Sequence, residues 1–181
     1  MTEHRPLVER LRRVTCVALD VDGVLTDGRI YVADDGKRIR AFDVKDGSGI
    51  IYLQRAGLRV ALLSGESHEA VRHRAERLGI RTVLLGYKNK TEGLEKLLSA
   101  EKVTADNVCY VGDDLPDVPV MRAVGLAVAV ADAHPLVREC SHWVTRCPGG
   151  RGAVREVAER LLKTQDKWTE VVSRYFPCPE R

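Results

Sequence analysis

The sequence predicts an α/β fold built on a mainly parallel central sheet. Short apolar, β-branched runs alternate with longer segments of helical period, and each run leads into such a segment directly or through a turn. The run at 60–63, Val-Ala-Leu-Leu, contains nothing polar, as suits a strand buried on both faces of a parallel sheet. Taken in order, the expected strands are 14–19, 60–63, 82–85, 108–111 and 126–130. Leu94, Leu97 and Leu98 make one helical stripe, and Val154, Val157, Ala158, Leu161 and Leu162 make another. One segment breaks the alternation. Residues 29–42 read as two short arms, 29–32 and 38–42, around Asp35-Gly36, a strong hairpin-turn signal. A hairpin placed directly after the first strand is expected to project from the sheet's carboxyl edge, where ligands bind in such folds. From Lys163 onward, Trp168, Val171, Val172 and Tyr175 continue an apolar stripe before Pro177 and Pro179. That stripe can pack on its own domain or serve a neighbouring subunit.

Composition bounds the function. With 181 residues, the chain is expected to form a single domain, 1–181, with a sizeable core. A net charge of +3 is too small to argue for nucleic acid or a membrane surface as partner. No apolar run approaches the roughly 20 residues that a membrane helix needs, and the opening residues lack the apolar core of a secretory signal. Five cysteines, odd in number and without a CxxC pair, read as reduced thiols of a cytoplasmic protein. Cys140, His142 and Cys147 fit no common zinc spacing and lack a fourth ligand.

The chemistry is expected where two strands end. Asp20-Val21-Asp22-Gly23-Val24-Leu25-Thr26-Asp27-Gly28 places two aspartates two apart, just as an apolar strand gives way to a glycine turn. On a continuing strand, side chains at i and i+2 share a face, so both carboxylates can enter one crevice. Like charges held that close repel, and a hard divalent cation is the natural compensation. Gly112-Asp113-Asp114-Leu115-Pro116-Asp117 repeats the pattern at a later strand. Alone it would serve as a capped helix start; paired with the first motif, it supplies the oxygen ligands that octahedral magnesium favours. Ser64 ends the run at 60–63, and Lys90 stands at a helix start, where a cation does not help the dipole. Together these residues give a nucleophile, a metal, a hydroxyl and a cation for phosphoryl transfer.

These four motifs, in this order over about 14–162, resemble the haloacid dehalogenase superfamily of phosphatases. The DVDGVLTDG segment, the hairpin after it and Gly149-Gly150-Arg151-Gly152-Ala153-Val154-Arg155-Glu156 are most similar to its small, capless branch acting on 3-deoxy-ulosonate phosphates. The resemblance implies a three-layer Rossmann-like fold with a hairpin flap and no large cap. It implies Asp20 as nucleophile, forming an aspartyl phosphate, and Asp22 as the acid and base. It further implies Mg2+ held by Asp20, the Asp22 main-chain carbonyl and Asp113, with Asp114 and Asp117 behind them. Ser64 and Lys90 would bind the phosphoryl oxygens, and a homotetramer would close the site with the hairpin and a neighbour's tail.

Substrate is read from the departures. Octulosonate phosphatases of this branch usually carry Arg after the second motif's Ser/Thr-Gly, whereas Glu66 resembles the nononate 9-phosphate enzymes, as do Arg74 and the surrounding pattern. Arg77 replaces a Lys, which alters donor geometry. The expected substrate is therefore a nine-carbon sugar-acid 9-phosphate, with 3-deoxy-manno-octulosonate 8-phosphate the alternative. A helix beginning at Glu66 would put Arg77 about 16 Å farther along its axis, so Arg74 and Arg77 are expected to reach the substrate carboxylate in a neighbouring subunit. Two rivals differ in class. A response-regulator receiver fails on motif order, and a silent assembly module associated with sialic acid cytidylyltransferase fails on the retention of Asp20, Asp22 and Lys90.

Overall fold

The computed structural model describes residues 5–176. Helix α1 (Leu7–Arg13) leads into strand β1 (Cys16–Leu19), all of it buried. A two-stranded hairpin follows, β2 (Tyr31–Val32) and β3 (Arg38–Ile39), then helix α2 (Val44–Arg55). Next come β4 (Arg59–Ser64), α3 (Glu69–Arg77), β5 (Thr82–Leu85) and α4 (Lys90–Glu101). The chain continues through β6 (Val108–Gly112), α5 (Val118–Ala123), β7 (Leu126–Ala129) and α6 (Pro135–Glu139). It ends with β8 (Trp143–Val144), α7 (Ala153–Thr164) and α8 (Trp168–Ser173).

Six strands form one sheet in the order β5-β4-β1-β6-β7-β8, every neighbouring pair parallel. The fold is the expected three-layer α/β arrangement, with α2 and α7 packed together in one layer and α4 with α5 in the other. The chain builds outward from β1 to β5, then returns to β6 on the other side. That reversal makes the crevice beside β1 the topological switch point, where α/β sheets bind ligands. Leu19 lies in register with both Leu62 and Val111, so the residues just beyond these strands emerge together.

All five expected strands are present, with small differences at their ends: Val14 caps α1 rather than starting β1. The hairpin is shorter than expected, with arms of two residues each. Helix α2 was hidden by Gly47 and Gly49, both poor helix formers, the second set against the backbone of a neighbouring helix. A Cβ on Gly49 would lie 3.0 Å from the Arg155 backbone in α7, and one on Gly47 would lie 2.4 Å from the Arg74 guanidinium. The C-terminal stripe packs on its own domain as far as it is described: Val171 is buried, and Trp168 meets Tyr52 edge-on with ring centres 6.2 Å apart. Pro177, Cys178 and Pro179 lie outside the described residues. His142, considered above as a zinc ligand, accepts a hydrogen bond at Nδ1 from the Ala127 amide at 2.8 Å. No helix among the described residues is long and apolar enough to cross a membrane.

Candidate active site

The loop after β1 is shaped by its own backbone before any catalytic demand. The carbonyl of Val21 accepts from the amides of Leu25 at 2.9 Å and Thr26 at 3.1 Å. The buried Thr26 hydroxyl accepts from the amides of Gly23 at 3.3 Å and Gly28 at 3.2 Å. Gly23 has φ +89°, and a Cβ there would fall 2.0 Å from the Asp113 carboxylate, so only glycine lets the two motifs approach. The Gly149-Gly150 segment presses on the same loop from behind. A Cβ on Gly149 would lie 1.7 Å from the Gly23 carbonyl oxygen, and the Gly150 amide donates to the Val24 carbonyl at 2.8 Å.

These constraints gather the acids around one open pocket of about 310 Å3. Asp20 and Asp22 line it from β1, Ser64, Gly65 and Glu66 from the end of β4, and Lys88 and Lys90 from the approach to α4. Asp113, Asp114, Pro116 and Asp117 complete it from the end of β6. Lys90 is buried, its ammonium 2.9 Å from Asp20 and 2.5 Å from Asp117. Burial works against that charge, but the two carboxylates outweigh it and hold the Lys90 pKa above its ordinary value.

Asp117 is fully buried and organises the far wall. One oxygen accepts from Lys90 and from the Tyr110 hydroxyl, the latter at 2.6 Å. The other accepts from the Asp113 amide at 2.9 Å and the Asp114 amide at 3.2 Å. Asp20, Asp113 and Asp117 can bring carboxylate oxygens within 4.8 Å of one another. Of the three, Asp117 has its acceptors already engaged, whereas Asp113 Oδ1 is buried without a hydrogen-bond partner among the described residues. Burial raises the pKa of Asp20 and of Asp113, and the charge of Asp117 adds to both shifts. A buried oxygen with no donor, among carboxylates that repel, fits a hard cation with oxygen ligands.

Sequence reasoning missed several residues around the pocket. Arg40, just past the hairpin's second arm, donates from Nε to Asp22 Oδ1 at 2.7 Å and from Nη2 to Oδ2 at 3.4 Å. Lys88 pairs with Glu66 at the pocket mouth. His68 lies near both Arg40 and Asp22, and its burial, with Arg40 adding to the effect, lowers its pKa. The signals were faint: a lone Tyr in the aliphatic run before Gly112, and alternating charges at Arg38 and Arg40 on a short hairpin arm.

Arg74 and Arg77 do not join the pocket. Helix α3 begins at Glu69, not at Glu66, which stays in the preceding loop. Arg74 donates to the Asp43 carbonyl at 3.2 Å and lies over the Phe42 ring at 5.8 Å, while Arg77 is exposed.

A strand-end nucleophile candidate, a paired cation and a metal-competent acid cluster at a switch point define a class of metal-assisted phosphoryl-transfer enzyme. The sequence profile of haloacid dehalogenase-like hydrolases matches residues 48–125. The 3-deoxy-D-manno-octulosonate 8-phosphate phosphatase KdsC of Yersinia pestis is 44% identical over 161 residues, covering 89% of this chain and 86% of the relative. The corresponding phosphatase of Moraxella catarrhalis, solved with a magnesium ion, a phosphate ion and a KDO molecule, superposes with TM-score 0.90 at 33% identity, covering 93% of this chain and 97% of that one. The cobalt-bound enzyme of Haemophilus influenzae superposes with TM-score 0.88 at 37% identity, covering 93% and 99%. The chain belongs to the haloacid dehalogenase-like hydrolases, as a phosphatase with Mg2+ as cofactor.

Proposed function

We propose that the chain hydrolyses a 3-deoxy-ulosonate phosphate, with 3-deoxy-D-manno-octulosonate 8-phosphate as first substrate. The observation that carries this reading is the buried Asp20 carboxylate at the end of β1, within 2.9 Å of Lys90 and facing the unpartnered Asp113 oxygen across the metal-competent cluster. Similarity to the octulosonate phosphatases over most of the chain supports the choice of sugar.

Asp20 attacks phosphorus, the bond from phosphorus to the sugar oxygen breaks, and that oxygen takes a proton from Asp22. Water then attacks the aspartyl phosphate while Asp22 recovers a proton from it, and inorganic phosphate leaves. Acid and base help of this kind is worth roughly 10²–10⁴-fold. Ser64 and Lys90 bind phosphoryl oxygens, and Asp114 and Asp117 support the metal ligands from behind. Asp20, the Asp22 main-chain carbonyl and Asp113 would hold magnesium, which would supply positive charge for the phosphoryl group.

A second substrate reading rests on Glu66. Its carboxylate stands at the pocket mouth, where the octulosonate enzymes usually carry Arg, and suits a nine-carbon sugar acid phosphate richer in hydroxyl groups. We propose further that the chain acts as a single cytoplasmic domain assembled as a homotetramer, in which Arg77 and Arg74 serve a neighbour's site. The test is phosphate release with and without Mg2+ from octulosonate 8-phosphate, nononate 9-phosphate and simple hexose phosphates, with Asp20→Asn as control. Magnesium-dependent release lost in Asp20→Asn is expected, with the octulosonate preferred. A nine-carbon preference would move the substrate to the Glu66 reading, and unchanged turnover in Asp20→Asn would remove the mechanism.

A further inference from the structure

We propose that Arg40 is a positioning residue for Asp22, so that the hairpin flap sets the geometry of the proton donor. The inference rests on the reading of Asp22 as acid and base. Both arms of the hairpin are exposed, yet the Arg40 side chain that follows them is only 1% exposed. Its guanidinium reaches back across 18 residues of sequence to Asp22, which remains 28% exposed. Among the described residues, Asp22 is the one carboxylate paired with it. A buried guanidinium costs stability unless a carboxylate compensates it, so this contact fixes both partners.

An Asp side chain can turn about its terminal bond, and a fork of two N–H groups removes that freedom. The fork is uneven. Oδ1 is held at 2.7 Å, and Oδ2, at 3.4 Å, is held loosely enough to exchange a proton with the leaving oxygen. Arg40 cannot supply the proton itself, because a guanidinium does not deprotonate in proteins. Its contribution is orientation.

Leaving-group chemistry separates this role from a merely structural one. A sugar alkoxide departs only if it is protonated, whereas p-nitrophenolate departs without help. kcat/KM covers the steps through cleavage of that bond and is blind to later hydrolysis of the phosphoenzyme. At saturating Mg2+, Arg40→Met is expected to lose about 10²-fold in kcat/KM on the sugar acid phosphate, and only a few-fold at most on p-nitrophenyl phosphate. Arg40→Lys, which keeps the charge but not the fork, is expected to show a selective loss of about tenfold. It carries the test alone if Arg40→Met does not fold. Equal losses on both substrates, or none on either, would overturn the proposal. Asp22→Ala measured alongside keeps the two readings apart. If Asp22→Ala is leaving-group selective and the Arg40 variants are not, Arg40 is structural; if Asp22→Ala is not selective, the acid assignment itself is wrong.

Discussion

Asp20 and Asp113 ionise near 3.8 when free, but burial, with Asp117 close by, pushes them up to about 7 and about 8. Between those values the folded protein holds protons that the unfolded chain has released. The stability tied to these two groups is therefore present below about 3.8 and lost as pH climbs through the raised values. Magnesium takes the place of those protons, so its binding releases them. We expect the magnesium-induced rise in Tm to grow between roughly pH 5 and roughly pH 8. Asp113→Asn should stabilise the metal-free protein at the upper end and abolish most of that rise. Thermal melts across pH, with calorimetry in buffers of differing ionisation enthalpy, check both. The acids themselves were legible in the sequence, because two aspartates at a strand end with glycine beside them have few structural uses. Arg40 and Tyr110 were not, since their roles depend on how the flap folds back and on which strand face meets Asp117. Lys90 was legible as an oddity: a cation at a helix start invites a reason, and here the reason is two buried carboxylates.

Helices α2 and α7 show what the residue pattern could not convey. Asp46, buried in α2, accepts from the Gly152 amide at 3.1 Å and the Arg155 amide at 2.8 Å, capping α7 from another helix. Glu156 takes the amides of Arg146 and Cys147, so α7 is fixed at its start by acids on both sides. Asp46→Ala leaves the Gly152 and Arg155 amides at the start of α7 unsatisfied and is expected to cost about 1–2 kcal/mol, with Asp46→Asn milder because one acceptor remains. Urea midpoints compared at constant m-value check this. The strands were readable because burial on both faces demands unbroken apolar runs. Helix α2 was not, because its glycines answer to a neighbour far along the chain rather than to local propensity. The Gly149–Glu156 motif likewise serves packing: Gly149 and Gly150 make room for the loop that carries Asp20 and Asp22.

At the scale of the molecule, the pocket is open and no large cap covers it among the described residues. The flap exposes Ile30, Tyr31, Val32 and Ile39, with Val44 close behind at 77% exposure. Apolar groups clustered on a small hairpin are costly to leave in water, and the open pocket needs something to exclude solvent. If the proposed tetramer forms through the flap, paired Tyr31→Asp and Val32→Asp substitutions are expected to shift it toward monomer in sedimentation velocity, and to raise KM with little change in melting temperature. The central place of β1 carries a different consequence, for the order in which the chain can fold. Cys16 pairs with Arg59 on one side and with Val108 on the other. A chain emerging from the ribosome therefore holds one edge of this buried apolar strand open until β6 has been made. Long-range parallel pairing of this kind is slow, and the acid cluster comes together only with that last pairing. The nascent chain should be most prone to aggregate in that interval, and catalytic competence should appear late and abruptly.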